Sequence, residues 1–152
     1  MRLLYFADRK SWQQFGRPIT GDRYVAMKLG PVLSRTLDLI QAPPDAGPWA
    51  ETIESKPEDH LVVLRRDPDL GPLSEAEIEI LKEAHGLYAT MDRWKLPKEI
   101  SHALPEWKDP GESAHPIDPE DILKALGKDE EEIEDARQES VERAFFHRIL
   151  GT

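Results

Sequence analysis

The sequence predicts a mainly α-helical single domain with a small β-sheet or hairpin, an α+β chain in which the helices dominate. Three observations carry that expectation. Apolar residues recur at helical spacing through several segments, capping residues stand before two of them at Ser74 and Asp118, and only residues 24–29 and 60–66 have the compact β-prone character of strands.

The first helix is expected over residues 3–15, where Leu3, Leu4, Ala7, Trp12 and Phe15 occur with few breakers, and Gly16 followed by Pro18 closes it. Thr20, Gly21 and Asp22 form a turn-prone triplet, after which residues 24–29 read as a strand or hairpin arm stopped by Gly30 and Pro31. Pro31 suits the first position of a helix, along which Leu33, Thr36, Leu37 and Ile40 make one apolar stripe. The prolines of residues 42–48 break that helix and leave a loop. Trp49 and Ile53 fit a short helical turn, and residues 60–66 are expected to pair with the first strand.

Ser74 and Glu77 have capping-box spacing ahead of a helix that presents Ile78, Leu81, His85 and Tyr88 on one face. Another helix is expected from near Asp92, carrying Trp94, Pro97 and Ile100, followed by a loop over residues 105–116 with an aromatic anchor. Asp118, Pro119 and Asp121 combine a cap, a first-turn proline and a dipole-compatible acid, and Gly127 ends the short helix they start. A last helix runs from about Glu130 to Leu150, with acids first and Arg143 and Arg148 last. Its face of Ile133, Ala136, Ser140, Ala144 and His147 is widened by Val141, Phe145 and Phe146 beyond what a solvated helix retains. Residues 128–152 are therefore expected as a helical arm beside a domain of residues 1–127, its apolar face covered by that domain, by a second copy or by a partner.

Composition narrows the function. A length of 152 residues suits one domain, and the net charge of −10 opposes nonspecific attraction to nucleic acid. Basic residues nevertheless gather early, at Arg9, Lys10, Arg17, Arg23, Lys28 and Arg35, while acids dominate residues 118–142. The absence of cysteine excludes disulfides, thiolate chemistry and Cys-rich zinc sites. No run approaches the roughly eighteen apolar residues of a membrane helix, and the start MRLLYFADRK is too short in apolar residues for a signal peptide, so no membrane partner is expected and the cytoplasm is the expected location.

Signatures of catalysis are missing: there is no Gly-rich phosphate loop, no HExxH pair, no GxSxG turn and no dinucleotide fingerprint. His60, His85, His102, His115 and His147 are scattered, without the i, i+4 spacing of a metal pair. Ser34 follows Gly-Pro-Val-Leu with no adjacent base, and Asp8 and Asp22, acids in a basic neighbourhood, read as caps, turns or ion pairs. A hydrolase or metal enzyme built on His102, Asp22 or Ser34 needs a cleft that brings them together. The expectation is a non-enzyme without catalytic, metal or cofactor site.

One series of motifs rises above this background. It consists of YFAD at residues 5–8, GRPITGD at 16–22, YVAM at 24–27 and GPVLS at 30–34, followed by LSEAEIEIL at 73–81 and SHALPEWKDPG at 101–111. In order and spacing the series resembles the Panacea antitoxin-associated domain over residues 1–127. The motif positions carried by the resemblance are Asp8, Gly16, Thr20, Gly21, Asp22, Met27, Gly30, Pro31, Ser34, His102 and Trp107, with structural or partner-binding roles. Physically, Gly21 and Gly30 relax backbone sterics, Pro31 sets a helix start, and Asp8 or Asp22 can cap or pair.

The resemblance implies a predominantly helical domain with a small β element, found in antitoxins encoded beside unrelated toxins and in phage and prophage proteins. It implies an antitoxin that neutralises a cognate protein toxin by direct binding, with delivery of the toxin to a protease, or DNA-binding autoregulation, as the alternatives. Autoregulation needs a helix-turn-helix and a basic reading face. Arg23, Lys28 and Arg35, beside Gly30 and Pro31, are the candidate toxin contacts. Members of the family usually carry a further helix before YFAD, so the start reads as shortened here, which would leave the first helix to be covered by the toxin or by a second copy in a homodimer.

Overall fold

Helix α1 (Arg2–Phe15) organises the molecule, because its buried side is continuous from Tyr5, Phe6, Ala7 and Asp8 to Ser11 and Trp12. Gly16 ends it in the left-handed conformation at φ 64°, returning its N–H to the Trp12 carbonyl at 3.1 Å. The computed structural model describes residues 1–92, 95 and 99–151, and 53% of the described residues are helical.

Against α1 lies a three-stranded antiparallel sheet in the order β2 (Gly30–Leu33), β1 (Tyr24–Met27), β5 (His115–Ile117). Two expectations are corrected here. Residues 24–29 do not pair with residues 60–66, and Pro31 does not open a helix: it stands in β2 opposite Ala26, and α2 (Ser34–Gln41) begins three residues later. Proline fits because β2 is an edge strand, where a missing N–H breaks no ladder.

The second β run pairs locally instead. Strands β3 (Ile53–Lys56) and β4 (Leu61–Leu64) make a separate antiparallel ribbon, turning through a 3-10 turn at Pro57–Asp59 and a left-handed His60. Ile53, expected in a helical turn with Trp49, opens β3 at the end of α3 (Pro48–Thr52). The ribbon packs on α2 through β3, leaving β4 outermost.

Helix α4 (Glu75–Tyr88) forms the expected capping box between Ser74 and Glu77. Its buried face is rotated from the expected one: Ile80 and Ala84 are buried against Ala7, whereas His85 is exposed. Positions 80, 84 and 88 satisfy helical spacing as well as 78, 81 and 85 do, and the small Ala84 and Ala7 let the two helices approach closely. Tyr88 completes this face by stacking on Phe6 at 4.5 Å. The helix expected from near Asp92, with Trp94 and Pro97, falls on residues outside those described.

Asp118 caps α5 (Pro119–Ala125), its side chain accepting from the Glu120 N–H at 2.9 Å, and Asp129 caps α6 (Glu130–Leu150) through a second capping box with Glu132. Ile117, Ile122, Leu123, Ile133 and Ala136 bring β5, α5 and the first two turns of α6 into the core of Tyr5, Phe6, Trp12, Tyr24 and Leu33. Beyond Ala136 the helix leaves the core: Val141, Phe145, Phe146, Ile149 and Leu150 are 55–66% exposed. No described helix is long and apolar enough to cross a membrane.

Candidate functional site

Asp8 lies at the centre of the YFAD and GRPITGD segments. Fully buried on α1, its Oδ1 accepts the N–H groups of Ile19 and Thr20 at 2.9 and 3.0 Å, and its Oδ2 accepts the hydroxyls of Thr20 and Tyr24. Tyr24 Oη in turn accepts from Trp12 Nε1 at 3.1 Å. Burial pushes the Asp8 carboxyl above the usual carboxylate range even though these donors from Thr20, Tyr24 and Ile19 favour its charged form. The turn after α1 is thereby tied to the helix it leaves.

Asp22 does a different job. The helix start at α2 has no side-chain cap of its own, since Leu33 precedes it. Asp22 reaches across from the preceding turn and accepts the N–H groups of Arg35 and Thr36, both at 2.9 Å, and the Thr36 hydroxyl at 2.7 Å, while Oδ1 also takes the Arg23 N–H. It is an N-cap supplied from a distance. Burial pushes its carboxyl up, but the Thr36, Arg35 and Arg23 donors outweigh it and hold the group below its ordinary value.

The remaining motif residues grip the tip of the β1–β2 hairpin. Trp107 Nε1 donates to the Met27 carbonyl at 3.0 Å, His102 Nε2 lies 3.1 Å from the Lys28 carbonyl, and Arg2 Nε donates to the Leu29 carbonyl at 2.8 Å. His102 and Trp107 stack with ring centres 4.1 Å apart. Gly30 sits at φ 115° with Ser101 against its Cα, so close that a Cβ would lie 2.6 Å from Ser101 Cβ. Ser34 stands at the other end of β2, where its N–H bonds the Arg23 carbonyl. His102 and Ser34 thus sit at opposite ends of the hairpin, and Asp22 is spent on capping α2. The structure does not assemble them into a catalytic group, and no cluster of three potential metal ligands occurs among the described residues.

Sequence reasoning missed one buried charge. Glu106 accepts the Tyr5 hydroxyl at 2.9 Å and the Arg9 guanidinium at 2.7 Å, joining α1 to the loop before β5. Burial, and then the Glu106 charge, push the Tyr5 phenol far above its ordinary value. A glutamate in a proline-rich loop carries no local sign of such a role, because both partners lie about a hundred positions away.

Most of the early basic residues are neutralised locally: Arg9 by Glu106, Lys10 by Glu83, Lys28 by Glu112 at 2.6 Å, and Arg17 loosely by Glu139 at 4.0 Å. Of the three candidate contacts, Arg23 and Arg35 are brought together beside Asp22 and make no ion pair among the described residues, whereas Lys28 is at the far hairpin tip. The turn they flank borders two depressions. A cleft of about 290 Å³ lies between Asp22, Tyr24 and helices α5 and α6. A wider groove of about 780 Å³ lies between the turn, the start of α4 and the outer half of α6, and gathers Arg17, Arg35, Arg143 and His147 with Glu77 and Glu139.

A family described as "Antitoxin SocA-like, Panacea domain" matches residues 1–108 by its sequence profile. The chain belongs to that family. No curated protein and no solved structure matches it. The match ends just beyond Trp107, so the Panacea-matched part contains α1, the hairpin, the β3–β4 ribbon and α4, with every motif residue named above. Strand β5 and helices α5 and α6 follow it, and it is they that complete the sheet and the core.

Proposed function

We propose that this Panacea-domain protein is an antitoxin that neutralises a cognate protein toxin by direct contact, and that the toxin lies along the groove between the 16–23 turn and the outer half of α6. The observation that carries this reading is the juxtaposition of a rigid, Asp8-tied motif turn with exposed Arg23 and Arg35 and with a groove lined by Arg17, Arg143 and His147. Arginines presented on a preorganised backbone are among the residue types that dominate protein–protein binding energy. In a chain of net charge −10, the groove holds three arginines against Glu77 and Glu139, and with Arg17 and Arg143 facing Glu139 it is Arg35, with Arg23 beside it, that is open to an acidic partner segment.

Co-expression with the product of the adjacent gene tests the proposal, scored by growth rescue and co-purification. Rescue is expected with the native chain. The double variant Arg23→Glu/Arg35→Glu should weaken binding at least about tenfold with a nearly unchanged melting temperature, since both side chains are exposed. Lys28→Glu, at the distant hairpin tip, should not. Unchanged affinity in the double variant would place the toxin elsewhere, and failure of any neighbouring product to bind would remove the antitoxin reading.

A further inference from the structure

Strand β4 is the outer edge of the β3–β4 ribbon, and among the described residues it pairs with β3 alone. All four of its residues are apolar, and all are exposed on one face or the other: Leu61 46%, Val62 44%, Val63 37% and Leu64 62%. Edge strands are normally blunted by charge, proline or a bulge, and this one carries none within its span. A two-stranded ribbon is also marginal by itself.

We propose that β4 is a self-association edge, pairing antiparallel with β4 of a second copy of this chain to give a continuous four-stranded sheet. The register follows from hydrogen bonding and charge. The Arg65 N–H donates to the Thr52 carbonyl at 2.7 Å, so along β4 residues 61, 63 and 65 direct their backbone groups inward to β3, and Val62 and Leu64 direct theirs to the open edge. Antiparallel pairing across that edge must therefore match outward residues with outward residues. Centred on Val62, it sets the Arg65–Arg66 bend that follows β4 near the 3-10 turn of the second copy that carries Glu58 and Asp59, with Arg66 the cation not already held by Glu54. Centred on Val63, it slides that bend toward His60 and away from the two acids. A parallel arrangement sets arginine beside arginine and acid beside acid. Charge complementarity thus favours the antiparallel orientation and the register centred on Val62. This inference is independent of the toxin groove, which lies on the α6 side of the motif turn.

The absence of native cysteine makes a direct test possible on the full chain. In a bonded antiparallel pair the Cα atoms are about 5.5 Å apart, inside the roughly 4.4–6.8 Å range of a disulfide. Val62→Cys should form an intermolecular disulfide in a glutathione redox buffer at least about tenfold faster than Val63→Cys, whose side chain is on the other face and opposite Leu61. Light scattering should find the native chain at twice the monomer mass, and Val62→Lys, an exposed substitution that leaves the helical core untouched, should return it to a monomer with an intact melting transition. The proposal is overturned by a native chain that stays monomeric up to about 1 mM, by a dimer that survives Val62→Lys, by faster cross-linking at Val63→Cys, or by Val62→Cys cross-linking to a co-expressed toxin in place of a second copy.

Discussion

Tyr24 places its hydroxyl 2.9 Å from the Asp8 carboxylate, and this buried bond fastens the first strand of the hairpin to the helix that precedes it. The same carboxylate holds the backbone of Ile19 and Thr20. Replacing it with Ala leaves buried donors without acceptors, so Asp8→Ala should lower unfolding free energy by about 3 kcal/mol, and Tyr24→Phe by about 1 kcal/mol. Urea denaturation of both variants and their double mutant should reveal a coupling of about 1 kcal/mol. Additive losses would show that the two groups act separately.

Asp22 and Asp8 should respond to acid in opposite directions. The Asp22 carboxyl is held below its ordinary value, so its stabilising effect is present above the normal carboxylate pKa and is lost as pH falls through the folded value. The Asp8 carboxyl is raised, so the folded state holds that proton more tightly and stability declines as pH rises from the ordinary carboxylate pKa toward the raised one. Chemical denaturation across about pH 2 to 7 should therefore show the advantage of the native chain over Asp22→Asn growing with pH, and its advantage over Asp8→Asn shrinking. Parallel profiles for the two variants would contradict the assigned roles.

Gly30→Ala should destabilise the protein by more than about 2 kcal/mol, since it adds a Cβ in a backbone region that L residues avoid and drives it against Ser101. Combining it with Ser101→Gly should recover the part due to the clash and leave the backbone strain. Full recovery, read from denaturation midpoints, would mean that the φ of 115° is readily adjusted.

Two truncations divide α6 by function. Among the described residues, removing residues 141–152 takes away no buried position, so melting should stay cooperative while toxin neutralisation falls. Removing residues 130–152 also deletes Ile133 and Ala136 from the core, and should cost a further 2–5 kcal/mol or so in urea, as buried aliphatic deletions do. Neutralisation by the shorter deletion at native strength would remove α6 from the proposed toxin groove.

What the sequence makes legible is whatever neighbouring residues decide. Gly16 at the end of α1, the Ser74–Glu77 capping box and the Asp118–Pro119 start of α5 are contacts within one turn, and each occurs where its spacing predicts it. The sheet was another matter. Pairing of Tyr24 with Ile117 joins residues far apart in sequence, and His115–Ile117 is three residues long with a central proline, a poor strand by local preference. Pro31 satisfied two local rules, helix start and edge strand, and only its partner Ala26 decides between them. At the site, Asp8 and Asp22 were recognisable as acids that cap or pair, but which donors they take depends on the fold of the intervening turn. Glu106 had no signal at all.

The tip of the β1–β2 hairpin is held through main-chain oxygens. Trp107, His102 and Arg2 each engage a carbonyl, of Met27, Lys28 and Leu29 respectively, and none of these bonds depends on which side chain those three positions carry. Lys28 and Leu29 meanwhile project into solvent. Shape and chemistry are therefore uncoupled at this point of the molecule: mutation can rewrite the outward-facing letters of the tip while the scaffold beneath stays the same, whereas a change at Trp107, His102 or Arg2 alters the scaffold and leaves the letters alone.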